Sequence, residues 1–272
     1  MRWWYVLMVL VWGATAAAAD LQLEGAPVQG GLVRGRVAPG GAVWLDGQAL
    51  RVSPDGRFVF GFDRDAAARA VLTVRHPDGR EDRRVLEVAR RTYDVQRIDG
   101  LPPRQVTPSE EDLARIEADA QLLEAAKRRD TEGGGFSQEP AWPALGRISG
   151  VYGSQRILNG EPRAPHRGID VAAPPGTPVG AMASGVVSLA EPDLYFTGGT
   201  VMIDHGHGVH SIYVHLQEVL VEVGQGMAQG AVLGTVGSSG RATGPHLHWG
   251  VYWFDRAVDP ALLVGPMPGS LG

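Results

Sequence analysis

The chain has 272 residues with 44% hydrophobic and 20% charged content, the balance of an ordinary folded protein and not of a disordered or fibrous one. Its 30 acidic residues outnumber its 25 basic ones, and the net charge of −5 leaves no basic footprint, so nucleic-acid partners are excluded. The 38 glycines favour short strands and tight turns over a helical bundle, and the lack of any cysteine removes disulfides, thiolate metal ligands and lipidated cysteine.

The first residues, "MRWWYVLMVLVWGATAAAAD", place one arginine ahead of an apolar run from Trp3 to Trp12 and a small-residue tract. Ala17-x-Ala19 before Asp20 fits a signal peptidase site, so residues 1–19 are expected to be a cleaved signal peptide. The apolar run is too short to span about 30 Å of hydrocarbon comfortably, and nothing comparable follows. The expectation is an exported, periplasmic protein with no stable membrane insertion after signal cleavage.

Residues 20–91 read as short strands separated by Asp46-Gly47, Asp55-Gly56 and Asp78-Gly79, pairs that accept positive φ at low cost. With Phe58, Phe60 and Phe62 alternating, this segment is expected to be a small β-sandwich domain. His76, beside Pro77-Asp78-Gly79, reads as a surface turn residue. Residues 92–140 form a linker carrying one helix over 107–129. Thr107 is its expected N-cap, Pro108 its first residue and Glu110 the partner in a capping box, with an apolar stripe of Leu113, Ile116, Ala120 and Leu123. "TEGGGFSQEP" after it reads as flexible.

From 141 to 264 the composition turns to glycine-punctuated strands, and seven of the eight histidines lie there. In "PHRGIDV", His166 and Asp170 would stand about 13 Å apart on a straight strand. They can share an ion only if the chain bends, and Gly168 is where it could. In "GPHLHWGV", His246 and His248 are two apart and look into one groove, with Trp249 and Val251 towards the core. Both could ligate one metal, one could ligate while the other stands beside it, or both could lie on an exposed face. "SIYVHL" places Tyr213 and His215 two apart on one expected face. His207 and His210 of "DHGHGVH" read as a solvated loop, with His205 less clear at a strand end.

The ordered set "HRGID", "YVHL" and "GPHLHWGV" resembles the lysostaphin-type (LytM-like) zinc metalloendopeptidases that cleave peptidoglycan, over about Trp142 to Pro260. The resemblance implies a mainly β protein whose C-terminal antiparallel β domain is the zinc peptidase. It implies one Zn2+ per chain held by His166, Asp170 and His248, with His215 and His246 catalytic. Two imidazoles and one carboxylate would leave a fourth position for water, as in catalytic zinc sites. No HExxH motif supplies a glutamate base, a role left to His215 and His246. Trp249 stands where the family often has phenylalanine. The implied substrate is the peptide stem or cross-link of peptidoglycan, in a periplasm a D-Ala–diaminopimelate bond. The alternative is an inactive member that binds and activates a cell-wall amidase; all five motif positions are filled, which speaks against it. The sequence identifies no regulatory protein partner.

Overall fold

The computed structural model describes residues 21–98, 109–158, 160–162 and 164–268. The expected signal peptide lies outside the described residues, as do Thr107 and Pro108. Seven strands come first: β1 (Leu21–Glu24), β2 (Leu32–Val37), β3 (Ala42–Leu45), β4 (Gln48–Leu50), β5 (Arg57–Gly61), β6 (Arg69–Arg75) and β7 (Glu81–Glu87). They form two antiparallel sheets, β1-β2-β5 and β4-β3-β6-β7, the small sandwich that the turn pattern implied. Asp46 and Gly47 join β3 to β4 with φ of 50° and 82°, the two-residue turn that this pair favours. Phe58, Phe60, Leu72 and Val74 are buried in its core. His76 is buried too, contrary to the surface-turn reading, with its Nε2 2.8 Å from the Asp82 carboxylate.

The stretch expected to be linker is partly structured: β8 (Val95–Ile98) pairs in parallel with a later strand. Helix α1 runs Glu110–Lys127. Its N-cap is Ser109, whose side chain accepts the Asp112 amide while Asp112 returns a bond to the Ser109 amide. The capping box is therefore two residues later than the one read from Thr107 and Glu110, with serine and aspartate satisfying the amides of 112 and 109 reciprocally. The expected apolar stripe is also displaced. Leu113 is exposed, and the packed side of the helix carries Ile116, Asp119, Leu123, Ala126 and Lys127. "TEGGGFSQEP" is held rather than loose. Gly135–Ser137 forms a 3₁₀ turn, and the buried Phe136 stacks on His207 at 3.8 Å between ring centroids.

Twelve strands follow: β9 (Arg147–Gly150), β10 (Gln155–Leu158), β11 (Glu161–Pro162), β12 (Ile169–Ala172), β13 (Pro178–Gly180), β14 (Gly185–Leu194), β15 (Gly198–Asp204), β16 (Val209–Val219), β17 (Gly226–Met227), β18 (Val232–Val236), β19 (Leu247–Trp253) and β20 (Arg256–Val258). The main sheet has the antiparallel order β17-β14-β15-β16-β19-β12-β9, extended by β18 on β16, β13 on β18 and β20 on β19. Strands β8, β10 and β11 form a separate small sheet. The protein is thus mainly β with one α-helix among the described residues.

The sandwich is seated on the large sheet. In β5 both faces are buried, which strict alternation would not give, because Gly61 faces Val258 and Trp253 while Phe58 and Phe60 fill the sandwich core. Arg91 pairs with the buried Asp259 at 2.8 Å, and the Arg34 guanidinium donates to the carbonyls of Phe136 and Gln138. A side chain at position 61 would have to displace Val258 and Trp253. Gly61→Leu is expected to lower stability by about 1–3 kcal/mol, as overpacking does. Thermal unfolding checks this, and an unchanged melting temperature would mean that the seam is loose.

Candidate metal centre and active site

The register of the large sheet assembles the site. β12 pairs with β19 so that Asp170 stands opposite His248, and β19 pairs with β16 so that Val214 stands opposite His248 and Tyr213 opposite Trp249. Residues paired in this way share a face. Trp249 and Val251 are fully buried on the apolar side, as their parity predicted, and His248 faces the cleft. His166 reaches the same point because the chain bends before β12. At Gly168 a side chain would collide with the Trp249 carbonyl and the His248 ring, so glycine is required by space and not by φ.

His166, Asp170 and His248 form the one group among the described residues whose histidine and carboxylate donors converge as metal ligands would. His166 Nε2 lies 3.0 Å from Asp170 Oδ1 and 2.8 Å from His248 Nδ1, and His248 Nδ1 lies 2.9 Å from Asp170 Oδ1. Such a triangle is close to the edge lengths of donors sharing one ion at about 2.0–2.1 Å each. The tautomers fit. His166 Nδ1 is 3.0 Å from the Val151 carbonyl, which only accepts, so Nδ1 carries the proton and the Nε2 lone pair points into the triangle. Burial works to raise the Asp170 pKa, but the adjacent His166 and His248 rings outweigh it and hold the carboxyl well below the usual range, so Asp170 is an anion. Burial chiefly lowers the His248 pKa, keeping it a neutral donor.

His215 and His246 border this triangle. Their rings are 4.7 Å apart between centroids, His215 is 6.5 Å from His248, and His246 Nε2 is 3.9 Å from Asp170 Oδ1. Each has Nδ1 2.8 Å from a carbonyl, Ser239 for His215 and Gly244 for His246, which fixes the proton on Nδ1 and leaves Nε2 as acceptor. Burial, followed by the neighbouring histidines, pushes the His215 pKa down to about 4, so the ring is neutral near pH 7. All five residues named from sequence therefore meet in one cleft. The reading that Tyr213 and His215 share a face does not hold. Tyr213 is in the core, its hydroxyl accepting from the Met182 amide, and His215 reaches the cleft through φ of 64°. That left-handed conformation is costly for a non-glycine residue and is over-represented at functional sites.

His205, His207 and His210 are not a solvated loop: all three are buried. Phe136 covers His207, and His205 bridges Ser184 O and Ser211 Oγ at 2.8 Å each. None joins the metal group. The residues that sequence reasoning missed are Ser239 and Gly244, whose carbonyls set the tautomers; "GSSGRATG" carried only a loop signal.

A family model, peptidase family M23, matches residues 164–260. A solved structure from Pseudomonas aeruginosa that carries the peptidase M23 family name is 33% identical, with a TM-score of 0.65, and the match covers 88% of this chain and 95% of that one. The chain belongs to peptidase family M23 and is a metallopeptidase by family. Among curated relatives, the DD-carboxypeptidase/endopeptidase Mpg of Neisseria meningitidis is 39% identical over 137 residues, 50% of this chain and 31% of Mpg. The peptidoglycan DD-endopeptidase ShyA of Vibrio cholerae is 38% identical over 126 residues, 46% of this chain and 29% of ShyA. The chain thus spans under a third of the length of these two relatives.

The buried His205 gives the fold an acid sensitivity. Burial pushes its pKa down to about 4, against 6.5 for the free side chain. The unfolded chain therefore binds the proton first, and stability present above pH 6.5 is lost as pH falls towards 4. The loss from this residue approaches about 3 kcal/mol, at 1.36 kcal/mol per pKa unit. Urea unfolding between pH 7 and pH 4 should show a smaller fall for His205→Asn than for the parent; equal slopes would refute the assignment.

Proposed function

We propose that this protein is a zinc-dependent peptidoglycan endopeptidase, in which His166, Asp170 and His248 hold one Zn2+ and His215 and His246 act on the substrate. The observation that carries the reading is the convergence of three ligand atoms within 3.0 Å of one another, beside two imidazoles held at Nδ1 by backbone carbonyls. Residues 141–264 would form the peptidase domain, with 20–91 a sandwich domain and 92–140 the connection between them. The names of Mpg and ShyA support peptide bonds of peptidoglycan as the substrate; in this reading the protein acts in the periplasm after removal of residues 1–19. Among the described residues no helix is long and apolar enough to cross a membrane.

The chemistry supplied by such an ion is acidification of a water molecule towards neutrality and polarisation of the scissile carbonyl. This chain's own residues would do the rest. Asp170, held ionised, supplies the negative charge that a dication favours, and Val151 O keeps the His166 ring turned to it. His215 and His246 each turn Nε2 away from the carbonyl that holds Nδ1, so one can take the proton of the attacking water and hand it on to the leaving amine, while the other, carrying a solvent proton on Nε2, steadies the oxyanion. The carbonyls of Ser239 and Gly244 hold both rings at Nδ1 throughout.

The division of roles is tested by two substitutions in the zinc-loaded chain. His248→Ala should lose both the metal and cleavage of purified peptidoglycan. His246→Ala should keep about one zinc per chain by metal analysis and lose cleavage by a factor of about 10²–10⁴, the usual contribution of a positioned acid or base. Identical behaviour of the two variants would overturn the assignment, as would a parent chain that binds no zinc.

A further inference from the structure

Ser239 lies half-buried on the loop after β18, next to the exposed Ser238. The two serines are alike in sequence, yet the second is built into the sheet. Its hydroxyl accepts from the Gly199 amide at 2.9 Å and donates to the Leu216 carbonyl at 2.8 Å. Gly199 and Leu216 stand opposite each other across β15 and β16, so one side chain links the two strands. Gly198 gives it room: a Cβ there would collide with the Ser239 Oγ. The carbonyl of the same serine accepts from His215 Nδ1 at 2.8 Å. Ser239 therefore holds the ring of residue 215 and the main chain of residue 216 at once.

His215 sits where the sheet restrains it least. Two steps on β15, from Gly199 to Val201, meet three on β16, from Leu216 to Tyr213, so His215 lies in a bulge. β16 pairs with β19 as far as Val214 and with β18 from Leu216, and His215 falls between the two ladders. The Thr197 carbonyl accepts its amide, but a left-handed φ of 64° with the ring turned to the cleft needs a further restraint. The peptide that carries the Ser239 carbonyl joins it to Gly240, and glycine resists rotation of such a peptide least. The hydroxyl fixes that peptide from the other side. We propose that the Ser239 side chain is a positioning residue for His215: its two bonds set the direction of the carbonyl that keeps the ring in place with the proton on Nδ1. The inference rests on the catalytic reading of His215 above and deepens it.

The test uses the full zinc-loaded chain with isotope-labelled histidine at neutral pH. Nitrogen–proton NMR reports which ring nitrogen of His215 carries the proton, and cleavage of purified peptidoglycan is followed in parallel. Ser239→Ala leaves the core intact. It should move a measurable share of the His215 ring to the Nε2-protonated form and slow cleavage by about 10–100-fold, short of the loss of the base itself. The zinc content should stay as in the parent, and the ring signals of His166 and His246 should not move, which separates a lost pin from a loosened loop. Ser239→Thr, which keeps the hydroxyl, should restore both readouts, and Ser238→Ala should change neither. An unmoved His215 signal in Ser239→Ala overturns the positioning role. So does a Ser239→Thr chain as impaired as Ser239→Ala, or a signal change shared equally by His246. If the parent cuts nothing but Ser239→Ala still moves the His215 signal, the peptidase reading falls and the positioning stands. If the parent cuts and Ser239→Ala cuts as fast, the peptidase reading stands and the positioning falls.

Discussion

The pairing of β12 with β19, which sets Asp170 opposite His248, is the constraint on which the rest of the structure depends. A slip of one residue would turn Trp249 into the cleft and His248 into the core, because successive side chains of a strand take opposite faces. What forbids the slip is the apolar side. Leu247, Trp249 and Val251 of β19 are fully buried, and they would have to leave the core together. The site's polar geometry is therefore held by apolar mass behind it. A carboxylate and two imidazoles so close together have no intrinsic reason to stay in place without a cation.

The tautomers are the second layer of that control. A histidine ring offers one donor and one acceptor when neutral, and a carbonyl can only accept. Three loops each present a carbonyl, from Val151, Ser239 and Gly244, to an Nδ1 atom, so three rings are held with the proton on that nitrogen. His248 is the exception, turning Nδ1 to Asp170, and its place inside a strand makes that geometry natural. The left-handed φ of His215 belongs to the same economy: a regular strand would have sent that ring to the core beside Tyr213.

How much of this was legible in the sequence depended on range. Two-residue spacing put His246 and His248 in one cleft and Trp249 in the core, and the Asp-Gly pairs marked real turns, because both signals are local. The bend at Gly168 could be located but not required by spacing alone. The departures came from tertiary partners that no window contains. His76 pairs with Asp82, His207 is covered by Phe136, and Phe136 by the backbone around it, where Gly135 abuts the Ser184 carbonyl. The helix cap lies at Ser109 because its hydroxyl accepts from the Asp112 amide and the Asp112 carboxylate accepts from the Ser109 amide, a box of the same kind as the pair read two residues earlier. The flip of His215 left no pattern at all, since left-handed backbone at a non-glycine residue is decided by its surroundings.

The buried histidines between β15 and β16 show why the residues outside the family-matched segment matter to the site. This hairpin carries His215 on the strand that leaves it, and its turn is clasped from outside: the His207 amide donates to Thr131 O, Phe136 N to His205 O, and His207 Nδ1 faces Arg51 O. Arg51 in turn grips Asp130 through paired bonds of 2.9 Å just past the end of α1. The sandwich, the helix and the hairpin are thus joined through one cluster of backbone carbonyls and rings. His207, read from sequence as part of a solvated loop, is instead buried in that joint. A ligand and a structural histidine differ in what faces the nitrogens: at the metal triangle one nitrogen of each ring meets the Asp170 anion and the other ring, whereas His205 is closed off by the Ser184 carbonyl and the Ser211 hydroxyl, and His207 by the Arg51 carbonyl and the Phe136 ring.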